Sequence, residues 1–105
     1  MSKFTSIITL TLPSEPAYKE FHKINDDFFF KDEKVLNFLK QNGMTKWTMS
    51  KTDELEPIKL ILSMEYLNKK SFDRCQALFL KFMPKVRHLI FKSNILRGEV
   101  IFDKI

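Results

Sequence analysis

The sequence predicts an α+β fold, a four-stranded antiparallel sheet with helical regions covering one face. Two patterns carry the prediction. Apolar residues alternate over 4–12, 44–51, 58–66 and 96–103, and they recur at helical spacing over 14–42 and 71–91. The order β-α-β-β-α-β then limits the topology.

The first strand is Phe4 to Leu12. Phe4, Ser6, Ile8, Leu10 and Leu12 point one way, and Thr5, Ile7, Thr9 and Thr11 the other. Pro13 ends it. Ser14 suits a helix N-cap, with Glu15 and Pro16 in the first turn. Tyr18, Phe21, Ile24 and Phe28 follow at helical spacing. Phe28-Phe29-Phe30 is too apolar for a surface turn, so part of it is expected to be buried. Asp32 can cap a second helical piece carrying Val35, Leu36 and Leu39. Gly43 suits the left-handed position after its end. Residues 14–42 thus form one kinked helix or two short ones.

Met44 to Lys51 reads as a strand with Thr45, Trp47 and Met49 on one face and Lys46, Thr48 and Ser50 on the other. A polar turn, Thr52 to Pro57, makes a hairpin with the next strand. There Ile58, Leu60, Leu62, Met64 and Tyr66 form a strongly apolar face. Leu67-Asn68-Lys69-Lys70 reads as a polar break, and a helix is expected from about Ser71. It carries Phe72, Cys75, Phe79 and Phe82, and Pro84 should kink or restart it. Lys92-Ser93-Asn94 reads as a loop. The last strand, Leu96 to Asp103, is expected to turn Leu96, Gly98, Val100 and Phe102 inward, with Arg97, Glu99, Ile101 and Asp103 opposite.

This order is the split βαβ, or ferredoxin-like, arrangement. The 105 residues suffice for a single domain, 1–105. With 44% hydrophobic and 30% charged residues the chain is globular in composition rather than disordered. No apolar run approaches the ~20 residues that cross a membrane, and Met1-Ser2-Lys3-Phe4 does not open a signal peptide. One cysteine, Cys75, allows no internal disulfide and no zinc cluster. The expectation is a cytoplasmic protein without membrane contact.

The net charge of +5 is uneven, because residues 69–105 hold nine Lys/Arg against three Asp/Glu. A solvated helix face accounts for this better than a nucleic-acid surface does. An RNA-binding domain of this topology would show aromatics on its open sheet face. The third strand offers Lys59, Ile61, Ser63 and Glu65 there, so nucleic acid is not an expected partner. With the last strand as read above, the open face also carries Thr5, Ile7, Thr9, Thr11, Arg97, Glu99 and Ile101. It is more apolar than an uncovered sheet needs, which points to a partner sheet or a ligand.

Ser63-Met64-Glu65-Tyr66-Leu67-Asn68-Lys69-Lys70-Ser71-Phe72 resembles the strand–turn–helix of the dimeric α+β barrel proteins, which include the antibiotic-biosynthesis-monooxygenase-like families. The shared features are a strand with Glu and an aromatic residue, a short polar turn, and a helix that opens with a small residue and Phe. The topology covers nearly the whole chain, the motif about residues 58–80. The resemblance implies a homodimer with sheets packed face to face and a pocket between each sheet and its helices. It also implies one of several activities, cofactor-independent oxygenation among them, or none. Two departures stand out. Cys75 occupies a position where many members have histidine, and the first connection is longer, with its three phenylalanines.

No cofactor and no metal site is expected, since His22 and His88 have no further ligands at matched spacing. Surface placement is the commoner role for both, and His22 is the better functional candidate. Cys75 lies on an apolar stripe and reads as an inert thiol. Trp47 and Tyr66 can line a ligand pocket or simply fill the core. Glu65 and Glu99 can act as an acid–base pair if held together, though ion pairing with Arg97 or Lys59 is favoured. The expected ligand-binding set is Tyr18, His22, Trp47 and Tyr66, around a small apolar molecule. The competing reading is an interaction module that assembles through its sheet face.

Overall fold

The computed structural model describes residues 2–53 and 55–105. Its elements are β1 (Phe4–Leu12), α1 (Glu15–Phe29), α2 (Glu33–Gln41), β2 (Met44–Lys51), β3 (Ile58–Tyr66), α3 (Lys69–Val86), a 3-10 turn (Arg87–Leu89) and β4 (Lys92–Glu99). The four strands form one antiparallel sheet in the order β2-β3-β1-β4. Of the predicted turn Thr52–Pro57, Glu54 lies outside the described residues.

Residues 14–42 resolve into two helices. The Ser14 hydroxyl accepts the Ala17 N–H and starts α1, with Pro16 in its first turn. The N–H groups of Phe30 and Lys31 both donate to Asp26 O and close it. Asp32 Oδ1 then accepts the Lys34 N–H at 3.0 Å and starts α2. Gly43 follows at φ 99°, a conformation that costs glycine little. Helix α3 begins two residues earlier than expected. Asn68 Oδ1 caps it by accepting the Ser71 N–H at 2.9 Å, so Ser71 is a buried first-turn residue and not the opening one. The helix also runs through Pro84 and ends at Val86. Pro84 has no N–H to donate to the Leu80 carbonyl, so one intrahelical bond of the last turn is absent.

The core lies between the helices and one sheet face. Leu10, Leu12, Ile58, Leu60, Met64 and Tyr66 are almost fully enclosed there. Phe29, the middle of the three phenylalanines, is also fully buried. Its ring stands 4.8 Å from both Trp47 and Phe82 and 5.3 Å from Phe79. Phe28 packs beside it, while Phe30 stays half exposed. The apolar run is therefore an anchor that ties α1 to β2 and α3.

Two strands depart from expectation. A bulge between Met44 and Lys46 puts both Met44 and Trp47 on the core face and leaves Thr45 exposed, off the face it was expected to share with Trp47. Strand β4 spans Lys92–Glu99 rather than Leu96–Asp103, so the expected loop Lys92-Ser93-Asn94 is strand. Its faces are also reversed. Arg97 lies opposite Ser6, Ile95 opposite Ile8 and Ser93 opposite Leu10, so these residues share the helix-covered face. Leu96 lies opposite Ile7 on the open face. A one-residue shift in reading turns every side chain of a strand over. Ile101 lies beyond the strand, fully exposed.

Candidate functional site

Two cavities lie on the helix side of the sheet, and Trp47 and Asn25 line both. The first, of about 420 Å³, is a cleft between α1, α2 and β2. Tyr18, His22, Asn25 and Asp26 reach it from α1, four or three residues apart and then adjacent, as one helix face requires. The Tyr18 and His22 rings stack at 6.0 Å. His22 Nε2 is 3.2 Å from Asp26 Oδ2, and Lys51 Nζ stands 4.6 Å from the Tyr18 ring centre. These groups are solvent-accessible, so the pairs are weak.

The second cavity, of about 290 Å³, lies between the sheet and the α1/α3 pair. Its walls are mostly apolar: Ile8, Phe21, Phe29, Leu62, Met64 and Phe79 are among them. Ser6, Asn25, Tyr66, Arg87 and Arg97 supply polar groups. Burial, above all, pushes the Tyr66 phenol far up from its ordinary value, and the nearby Arg97 opposes this. The Tyr66 phenol is thus a neutral donor at physiological pH. Trp47 Nε1 is buried, with no hydrogen-bond partner among the described residues. A buried donor left unpaired costs about 1–3 kcal/mol.

The predicted ligand set is therefore divided. Tyr18, His22 and Trp47 meet at the first cleft, and Tyr66 lines only the second cavity. Trp47 is the shared wall. Asn25 was missed, although an asparagine one turn after Phe21 on an apolar stripe was a legible signal; it is 3% exposed. Arg97 was assigned to the open face and in fact lines the second cavity, because β4 has the opposite facing. Its Nε donates to Ser6 Oγ at 3.3 Å and its guanidinium lies 4.8 Å from the Phe72 ring centre. Glu65 and Glu99 are not brought together. Glu65 lies opposite Thr5 on the open face, whereas Glu99 lies opposite Phe4 on the core side. Among the described residues Arg97 meets a hydroxyl and not a carboxylate.

Cys75 is fully buried, with Sγ 3.7 Å from Leu39 O. Burial pushes its thiol up, so a thiolate nucleophile is disfavoured. His88 is exposed in the 3-10 turn. Among the described residues no group of three or more His, Cys, Asp or Glu is placed to hold a metal. No helix among them is long and apolar enough to cross a membrane.

No protein-family model matches the chain, and no curated protein matches its sequence. Solved structures do match. The fold is ferredoxin-like. A dimeric ferredoxin-like protein from an uncultured marine organism superposes with a TM-score of 0.87 at 23% identity, over 100% of this chain and 93% of that one. A candidate antibiotic biosynthesis monooxygenase from Nitrosomonas europaea gives 0.70 at 10% identity, over 96% and 92%. SnoaB, a cofactor-independent oxygenase from Streptomyces nogalater, gives 0.70 at 16% identity, over 98% and 97%. These are the kinds of protein that the stretch Ser63–Phe72 resembles. At such identities the ferredoxin-like likeness is one of fold. The long first connection, with its two helices and Phe29 anchor, is accommodated within that fold over the full chain.

Proposed function

We propose that this chain binds a small, largely apolar molecule carrying at least one hydrogen-bond acceptor, in the cavity between sheet and helices, and that it works as a homodimer. The observation behind this reading is Trp47 at the wall shared by two cavities, with its N–H buried and without a hydrogen-bond partner among the described residues. An apolar cavity with a few polar groups is the usual form of a small-molecule site. A side-chain-filled interior would have favoured the interaction module instead.

The reaction we propose is cofactor-independent oxygenation, the activity named for SnoaB. A methylene beside a carbonyl can supply its own electrons to dioxygen. The methylene becomes a carbonyl, and its two hydrogens leave with the second oxygen atom as water. The Trp47 N–H would hold the enolate oxygen that forms when the first proton leaves, and the apolar walls would exclude bulk water. Support for the homodimer comes from the open sheet face, where Ile7 and Leu96 are direct cross-strand partners and Ile61 lies diagonal to Ile7. All three are exposed.

Calorimetric titration with 2-naphthalenemethanol tests the binding. Saturable binding is expected, weakened at least tenfold by Trp47→Ala and unchanged by Lys85→Ala. Equal effects of the two substitutions would remove Trp47 from the site. Oxygen uptake with 2-tetralone tests the reaction; a rate no greater than that without protein would limit the proposal to binding.

A further inference from the structure

We infer that Arg87 and Arg97 form an anion-binding mouth on the second cavity, and that its ligand is an apolar carboxylate. This rests on the cavity reading above and names its ligand class. Two arginines line one small, apolar cavity, and they reach it from different elements. Arg87 follows the α3 face that carries Leu80 and Met83, and Arg97 comes from β4. Both side chains are exposed, as are Leu80 and Ile95, so this is the solvent side of the cavity.

Neither guanidinium is in an ion pair among the described residues. Arg97 is nevertheless held in place. Its Nε donates to the buried Ser6 hydroxyl and its plane rests near the Phe72 ring. That arrangement uses Nε and leaves the terminal nitrogens for an incoming group. A guanidinium fork matches a planar carboxylate, and two of them over an apolar chamber suit an acid whose hydrocarbon part enters first. Simple solvated arginines need neither the cavity nor the Ser6 contact. The ligand's apolar part would then reach toward Trp47, the far wall common to both cavities.

The test compares two ligands of like ring and different charge, 2-naphthoate and 2-naphthalenemethanol, by calorimetry at pH 7. The carboxylate should bind at least about tenfold more tightly, as charge-assisted hydrogen bonds imply. Arg97→Gln and Arg87→Gln should each reduce that preference severalfold, weakening the carboxylate much more than the alcohol. Arg97→Lys, which keeps the charge and loses the fork, should recover only part of it. Lys85→Gln, an equal loss of charge away from both cavities, should change nothing. Urea unfolding of each variant confirms that the fold is kept. Equal affinity for the two ligands, or a preference as sensitive to Lys85→Gln as to the arginine variants, would overturn the inference and leave the cavity reading standing. Failure of both ligands to bind would overturn the cavity reading and this inference with it.

Discussion

Gly43→Ala should be among the most damaging single substitutions of a small residue in this protein. Gly43 sits at the joint between α2 and β2 with φ 99°. Its N–H donates to Lys40 O at 3.1 Å, and its carbonyl accepts the Leu67 N–H at 2.9 Å. The joint thus ties the end of one helix to the start of α3. A Cβ at this position would overlap the Ser71 Oγ and Cβ, and Ser71 is fully buried in the first turn of α3. The positive φ alone costs an alanine about 1–3 kcal/mol, and overpacking a filled site adds about 1–3 kcal/mol. The expected loss is therefore about 2–6 kcal/mol, against a total stability of about 5–15 kcal/mol for a chain of this size. Urea unfolding followed by Trp47 fluorescence measures it. With a slope of about 1–3 kcal/mol per molar urea, the midpoint should fall by at least about 0.7 M. Gly98→Ala is the control, since nothing lies within 4 Å of its Cβ position and its φ is not positive. Alanine there should be neutral or slightly stabilising. In a double-mutant cycle, Ser71→Gly should recover the steric part and leave the φ cost. A loss below about 1 kcal/mol for Gly43→Ala, or equal effects at both glycines, would refute the reasoning.

Two further outcomes are expected. Ile61→Lys places a charge on the open face at a residue already 39% exposed, so the protomer should keep its stability while association weakens by a factor of ten or more; an unchanged mass by light scattering over a concentration series would contradict the homodimer. The raised Tyr66 value makes a pH prediction. Its folded value lies above the unfolded one, so the folded chain holds this proton more tightly, and its contribution is fully present below the ordinary tyrosine value of about 10 and lost as pH rises beyond it. Tyr66→Phe should flatten that alkaline fall in the urea midpoint, and an identical fall in both proteins would show that Tyr66 is not its source.

Much of this protein was determined by local sequence. Alternation in Phe4–Leu12 and Ile58–Tyr66 is strong because each strand has one strongly apolar face, and both strands lie centrally in the sheet, where that face must be covered. The caps at Ser14 and Asp32 and the glycine at position 43 were likewise legible, because each satisfies backbone groups only a few residues away. Strand β4 was not. Ile95 and Leu96 are adjacent, one on each face, so alternation could not choose between the two facings. Register with β1 decided it, fixed at the ends by Phe91 N–H donating to Thr11 O and Val100 N–H to Lys3 O. That choice brought Arg97 to the cavity and separated Glu99 from Glu65. The Met44/Lys46 bulge and the split of Tyr18 and His22 from Tyr66 have the same origin. They depend on which distant elements meet, and only the packing of α1 and α3 across the sheet decides that.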